Sequence, residues 1–269
     1  MNALPSLFVS HGAPTFAIEP GLAGPQLRAL GQALGTPRAI IVVSPHWMTR
    51  QVEITATYQP ATIHDFGGFP QALYALRYPA PGAPVLAADI QRHLLSEGIP
   101  AGLDAGRGLD HGAWVPLTYL YPDADVPVVQ VSLPFHANAA AAFALGRALA
   151  PFSGKDVLIV GSGSLTHNLY EFRHGGAQAE SYVVEFTEWV RQAVIDGDQD
   201  RLLHALEQAP HAQRAHPTPE HFLPLLVALG AASTSGPSTV LNGGIEHGVL
   251  AMESYVFGAQ ISLSVDRVS

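Results

Sequence analysis

The sequence predicts a single α/β domain with a central mixed, partly parallel sheet flanked by helices. Three observations lead there. Short β-branched apolar runs alternate with segments of helical pattern, as in strands joined by crossover helices. Two of the runs, IIVVS and VLIVGS, are apolar throughout, as expected of strands covered on both faces. No stretch has the composition of an interdomain linker or repeats at a fixed period, so residues 1–269 read as one domain.

In chain order, apolar runs place strands over 7–10, 39–44, 52–57, 126–133, 157–161, 239–241 and 254–257. Helical patterns occupy 22–34, 84–97, 137–149, 181–196, 198–207 and 219–232. The 22 Pro and 26 Gly cluster between these elements, above all over 58–82 and 98–112. Loops longer than about 12–15 residues are uncommon in compact domains, so both stretches are expected to serve function.

Hydrophobic residues are 48% of the chain, enough at this length for a sizeable core. Charged residues are 13%, and the formal net charge is -9. That balance argues against a sequence-independent nucleic-acid binder, which needs a basic face to neutralise phosphates. With no cysteine, disulfides, thiolate metal sites, iron–sulfur clusters and a Cys nucleophile are excluded. The N-terminus lacks a signal-peptide pattern, and no apolar run reaches about 18 residues. The expectation is an intracellular, cytoplasmic protein without a membrane partner. Nothing in the sequence sets its oligomeric state.

The 13 His equal Lys and Arg together. Histidine is the usual neutral metal ligand and titrates near neutral pH. His11 follows the first strand in LFVSHGAPT, His46 the second in AIIVVSPHW, and His167 lies just past a third in VLIVGSGSLTHN. Ligands of open α/β sheets bind beyond the carboxyl ends of the strands, so three strand ends aim histidine at one crevice. His221, in PTPEHFLP, is expected in the first turn of a helix capped by Thr218 with Pro219 at its first position. There the helix dipole favours the neutral, metal-binding imidazole, and Glu220 complements the same dipole.

His216, before that cap, is a weaker candidate. His111, in GLDHGAWVPL, is expected in a Gly-bounded loop with Asp110 able to orient its ring. His64 lies in IHDFGGFP, an aromatic, Gly-rich loop suited to closing over a flat substrate. Each of these also reads as a hydrogen-bonded loop histidine. His93, His136, His174, His204, His211 and His247 read as structural or solvated. A His and carboxylate set without thiolate suits zinc or non-haem iron(II). The HExxH, phosphate-loop, GxSxG and GxGxxG motifs are absent.

Seven ordered segments are SHGAPT (10–15), SPHW (44–47), IHDFGGFP (63–70), YPAPG (78–82), DHGAWVPL (110–117), GSGSLTHNL (161–169) and PTPEHFLPLLVALGAA (217–232). Together they resemble the class III extradiol ring-cleavage dioxygenases, and more narrowly the 4,5-DOPA dioxygenase branch. The resemblance runs from Pro5 to Phe257 and implies one α/β domain with a central mixed sheet. It implies that His11 and His46 are metal ligands, with His221 the third where the wider superfamily uses a carboxylate; Glu220 adjoins it. It implies that His167 is a catalytic acid/base or a further ligand. His111 would contact substrate and shuttle protons, and His64 would belong to the substrate-side loop. The implied partners are a small aromatic diol and O2, and the implied cofactor is non-haem Fe(II), with Zn(II) as the alternative. The implied reaction inserts O2 beside the diol and opens the ring to a semialdehyde. The alternatives are a zinc-dependent hydrolase or lyase on the same scaffold, and a non-catalytic metal- or aromatic-binding protein.

Overall fold

The computed structural model describes residues 3–173, 178–232 and 236–263. His174 lies outside the described residues. The strands are β1 (Ser6–Ser10), β2 (Ala39–Thr49), β3 (Val52–Thr55), β4 (Ala101–Asp104), β5 (Val128–Pro134), β6 (Val157–Gly163), β7 (Thr239–Leu241), β8 (Ile245–Glu246), β9 (Leu250–Ala251) and β10 (Ser254–Phe257). The helices are α1 (Ala23–Leu34), α2 (Gln71–Ala75), α3 (Pro84–Ser96), α4 (His111–Leu120), α5 (Ala139–Leu149), α6 (Ser181–Asp196), α7 (Gln199–Leu203), α8 (Ala205–Gln208), α9 (Ala212–Ala215) and α10 (Leu223–Ala231). No described helix is long and apolar enough to cross a membrane.

Eight strands form one mixed sheet in the order β4-β3-β5-β2-β6-β1-β10-β7. The centre, β5-β2-β6-β1, is parallel, while β10 and β7 join antiparallel. Strand side chains alternate between faces. Ile41, Val43, Val129, Val131 and Ile159 therefore share one core with α3, α5, α6 and α10. Ile40, Val42, Val128, Leu158 and Val160 share the other with α1 and α4. Both faces being covered explains why the central strands are apolar throughout.

Several boundaries depart from expectation for local reasons. The fourth expected strand starts at Val128 rather than 126; Pro127 has no N–H to donate, although its carbonyl accepts from Ile40. The expected helix 198–207 divides at His204, whose Nδ1 bonds the Asp200 carbonyl at 2.9 Å. β4, with sequence AGLD, is an edge strand whose composition has little strand preference. β2 runs on to Thr49, but its pairing with β5 shifts between Val43 and Met48. That irregularity takes Ser44 to Trp47 out of register, and His46 with them.

The end of β6 is where the site is assembled. A Cβ on Gly161 would overlap the Pro224 carbonyl, and one on Gly163 would overlap the His221 carbonyl. These glycines let the start of α10 lie backbone to backbone on the strand. Ser164 N–H then donates to the His221 carbonyl (2.9 Å), and His11 N–H donates to the Gly163 carbonyl (2.9 Å). Gly161→Ala is expected to destabilise the fold by about 1–3 kcal/mol through overpacking, read from chemical denaturation midpoints. An unchanged midpoint would contradict this account of the β6–α10 contact.

Candidate metal centre and active site

Five histidines meet at the carboxyl edge of the sheet, with His11 directly after β1, His46 within the irregular last part of β2 rather than after it, and His167 past β6. The ring centroids of His11 lie 5.0, 5.5 and 5.7 Å from those of His46, His111 and His221. His46 and His111 are 4.0 Å apart, and His167 stacks on His221 at 3.4 Å with 9° between planes. The rings form the floor of a cavity of about 1100 Å³ that is walled by Phe66 and Phe69, by Leu169 and Phe172, and by the β8–β9 hairpin.

Hydrogen bonds decide which ring nitrogen offers a lone pair. α4 contains Pro116, which has no N–H for the carbonyl of Gly112 four residues back. The Ser162 hydroxyl donates to that carbonyl instead. Ser162 Oγ is thereby left to accept from His11 Nδ1, 3.0 Å away. His11 is thus the Nδ1–H tautomer, with its lone pair on Nε2. At His221, Nδ1 lies 3.1 Å from Glu220 Oε1, which also accepts from Thr218 Oγ1 (2.9 Å). A carboxylate only accepts, so His221 also carries its proton on Nδ1. Its Nε2 is buried with no partner.

His11 Nε2 and His46 Nε2 are 3.1 Å apart. That spacing suits two nitrogens each about 2.0–2.1 Å from a common ion. Donor atoms of His11, His46 and His221 all lie within 4.8 Å of one another; His46, Asp65 and His111 form a second such group, and His167, Glu220 and His221 a third. The first trio fits a divalent cation best: three neutral nitrogens, two with tautomers set by partners outside the trio and one buried nitrogen otherwise unsatisfied.

Four of the rings are kept neutral. Burial first, then mutual repulsion, holds His11 and His221 well below the usual imidazole range. Burial and His111 push His46 down to about 3, against the pull of Asp65 and Glu220. Burial lowers His167 to about 4, with Glu220 opposing. For Asp65, burial acts upward, but contact with His111 outweighs it and brings the carboxyl down to about 2. Asp65 Oδ1 accepts from the His111 N–H (2.9 Å), and Oδ2 lies 3.0 Å from His111 Nδ1.

Two local expectations are corrected. His111 is the first residue of the buried helix α4, not a loop residue, and Asp110 does not orient its ring. Asp110 caps the helix by accepting from Ala113 N–H, and it also accepts from Ser44, Gln130 and Arg107. Gly112 is required beneath it, because a Cβ there would overlap Ser44 Oγ and lie 2.9 Å from His46 Cδ2. His221 precedes its helix rather than lying in the first turn. Thr218 bonds Glu220 instead of capping, and 219–222 form a turn in which Phe222 N–H reaches the Pro219 carbonyl at 2.9 Å.

The substrate-side loop lines the cavity through Phe66 to Pro70, yet His64 is not among the lining residues. Its Nε2 lies 3.1 Å from the Leu76 carbonyl, and its ring meets Phe66 and Trp114 edge-on. His216 is a buried core histidine bonded to the Leu165 carbonyl (2.8 Å), and His136 is exposed. His247, expected to be structural or solvated, lines the cavity. Asp65, Glu19 and Glu246 had no sequence assignment. Only Asp65 carried a signal, as the acidic residue of the HDFGGFP segment.

The family described as the catalytic LigB subunit of aromatic ring-opening dioxygenase matches residues 25–258. The chain is 42% identical over 260 residues to the 4,5-DOPA dioxygenase extradiol of Escherichia coli K12, with 95% of each chain covered. It is 38% identical over 260 residues to the protein of the same name from Beta vulgaris, covering 95% of this chain and 97% of that one. The crystal structure of an uncharacterized protein from Escherichia coli K12 superposes with a TM-score of 0.79 at 35% identity, over 95% of this chain and 100% of that chain.

Elemental analysis of purified variants separates ligands from their neighbours. His11→Ala is expected to lose the metal. Ser162→Ala, which frees the His11 tautomer, is expected to weaken metal binding by about 10–100-fold. His167→Ala is expected to keep most of the metal and lose turnover by about 10²–10⁴-fold, as for a lost acid/base. Metal loss in His167→Ala equal to that in His11→Ala would make His167 a fourth ligand.

Proposed function

This chain belongs to the family of catalytic LigB subunits of aromatic ring-opening dioxygenases, and on that premise we propose that it opens the ring of a DOPA-like catechol with iron(II) as its working metal. The activity is extradiol ring cleavage, metal-dependent as in the family. That kinship sets aside the hydrolase, lyase and idle-binder readings.

The observation that carries the finer reading is the convergence of His11, His46 and His221 on the floor of an aromatic-walled cavity. These three are the proposed ligands. Neutral nitrogen donors suit iron(II) and zinc(II) alike. Bound there, iron(II) supplies the electron transfer between diol and O2 that zinc does not.

The protein's own task is to place the diol and move its protons. Asp65 Oδ2 lies 3.0 Å from His111 Nδ1 and fixes the direction of that ring, so His111 is assigned the base that accepts from a substrate hydroxyl. His167, neutral at rest and stacked on His221, is assigned to accept the second hydroxyl proton and to return it as the ring opens. Phe66 and Phe69 offer faces and edges to a flat ring. His64 sets their loop from behind by bonding the Leu76 carbonyl, so its part is positioning rather than contact with substrate. The whole chain, 1–269, is read as one catalytic domain acting in the cytoplasm. A net charge of -9 supports small-molecule partners over nucleic acid.

Anaerobic loading with iron(II), followed by oxygen uptake with DOPA, tests the reading. The expected result is equimolar loss of O2 and catechol with a yellow semialdehyde product, and no uptake by zinc-loaded protein. Equal turnover with zinc, or no O2 consumption with iron(II) and any catechol, would overturn it.

A further inference from the structure

The carboxylates of the cavity wall have no permanently cationic side chain beside them. Among the described residues lining the cavity, the only carboxylates are Glu19 and Glu246, and there is no Lys or Arg. The same cavity holds the unpartnered, buried Nε2 of His221, so both carboxylates border a ligand site, Glu246 half-buried and Glu19 exposed.

Glu246 is built into this wall. It ends β8 and opens a tight turn, with Val249 N–H donating to its carbonyl at 3.2 Å. His247 (φ 53°) and Gly248 (φ 77°) are both left-handed and turn the chain within the three-residue loop between the paired Glu246 and Leu250. Its carboxylate is packed against Gly21, where a Cβ would overlap Oε1. No described cation neutralises it. Burial, and then the like charge of Glu19, pushes Glu246 up to about 7. The other titratable cavity residues are His11, His46, His111, His167, His221 and His247. His247 Nδ1 is engaged by the Arg173 carbonyl at 3.2 Å, and its ring stacks on Phe172.

A half-buried carboxylate beside a like charge and without a counter-charge is unfavourable unless a ligand supplies one. We propose that Glu246, assisted by Glu19, is the subsite for a protonated amine on the substrate side chain, so that the cavity selects catechols bearing an alkylammonium group over those bearing a carboxylate. The inference rests on the catechol reading above and goes beyond it. Because no Lys or Arg lines the cavity, an α-carboxylate has no cationic side chain to meet there. A catechol amine without a carboxylate is therefore accepted at least as well as the amino acid.

Two measurements test this. In iron(II)-loaded protein, kcat/KM is compared for 4-(2-aminoethyl)catechol, DOPA, 4-ethylcatechol and 3-(3,4-dihydroxyphenyl)propionate. In zinc-loaded protein, where no turnover interferes, calorimetry compares tyramine with 4-ethylphenol. The wild type is expected to prefer the aminoethyl compound over the propionate by about tenfold or more, the range of one charge-assisted hydrogen bond. In Glu246→Gln, which keeps the side-chain shape, that ratio should fall to within about twofold, and the preference for tyramine over 4-ethylphenol should vanish. The exposed Glu19→Gln should lower both ratios by a smaller factor. Ratios unchanged in both variants, or a wild type that prefers the propionate, would overturn the proposal. Glu246-dependent tyramine binding with no catechol cleaved would sink the catechol reading and spare the subsite. Cleavage blind to side-chain charge would do the reverse.

Discussion

The structure depends on holding several neutral imidazoles together, away from water, with their lone pairs in fixed directions. Protonated rings at centroid separations of 3.4–5.7 Å would repel one another, and burial adds to the cost of charge. The protein resolves this by giving two of the three ligand rings, His11 and His221, a partner for the nitrogen that faces away. For His11 the chain of causes starts at Pro116. The missing N–H frees the Gly112 carbonyl, Ser162 donates to it, and Ser162 Oγ then accepts from His11 Nδ1. For His221 the partner is its own neighbour, Glu220. In both cases the orienting group acts through the ring rather than on the metal.

The scaffold around the rings is arranged by the same demand for close approach. The glycines of β6 bring the His221 segment onto the strand, and Gly112 lets α4 pass over Ser44 and His46. Asp110, fully buried, is raised by burial and the nearby Asp65, against the smaller opposing pull of Gln130, His111 and Ser44. It ties α4, β2 and β5 together through Ser44, Gln130 and Arg107. Arg107 in turn donates to the His46 carbonyl (3.2 Å) and lies over the Trp47 ring. The out-of-register stretch of β2 that carries His46 is therefore held at Ser44, His46 and Trp47 by the 107–110 segment.

Much of this was legible in the sequence because the relevant signals are local. Apolar runs mark β1, β2 and β6, and a histidine just past such a run is placed at the carboxyl edge by the topology of parallel sheets. Less was legible where tertiary contacts decide. α4 has no polar face and holds an internal proline, so no helical period announces it, and His111 reads as a loop residue until the helix is seen. The Thr218 cap was a sound local guess that lost to a competing bond from its hydroxyl to Glu220. Asp65 and His111 are 46 positions apart, and Glu19 and Glu246 meet only because the β8–β9 hairpin folds back over Gly21. No spacing rule joins such pairs.

X-ray absorption on the metal-loaded protein tests the central claim most directly, that three imidazoles, two of them with preset lone pairs, hold one ion. The account predicts one metal per chain whose first shell contains three imidazole nitrogens at about 2.0–2.2 Å, with the outer-shell scattering of imidazole rings. It also predicts that one imidazole is lost from that shell in His221→Ala and none in Glu220→Gln. A first shell dominated by carboxylate oxygens, or one that loses a ligand in Glu220→Gln and none in His221→Ala, would contradict it.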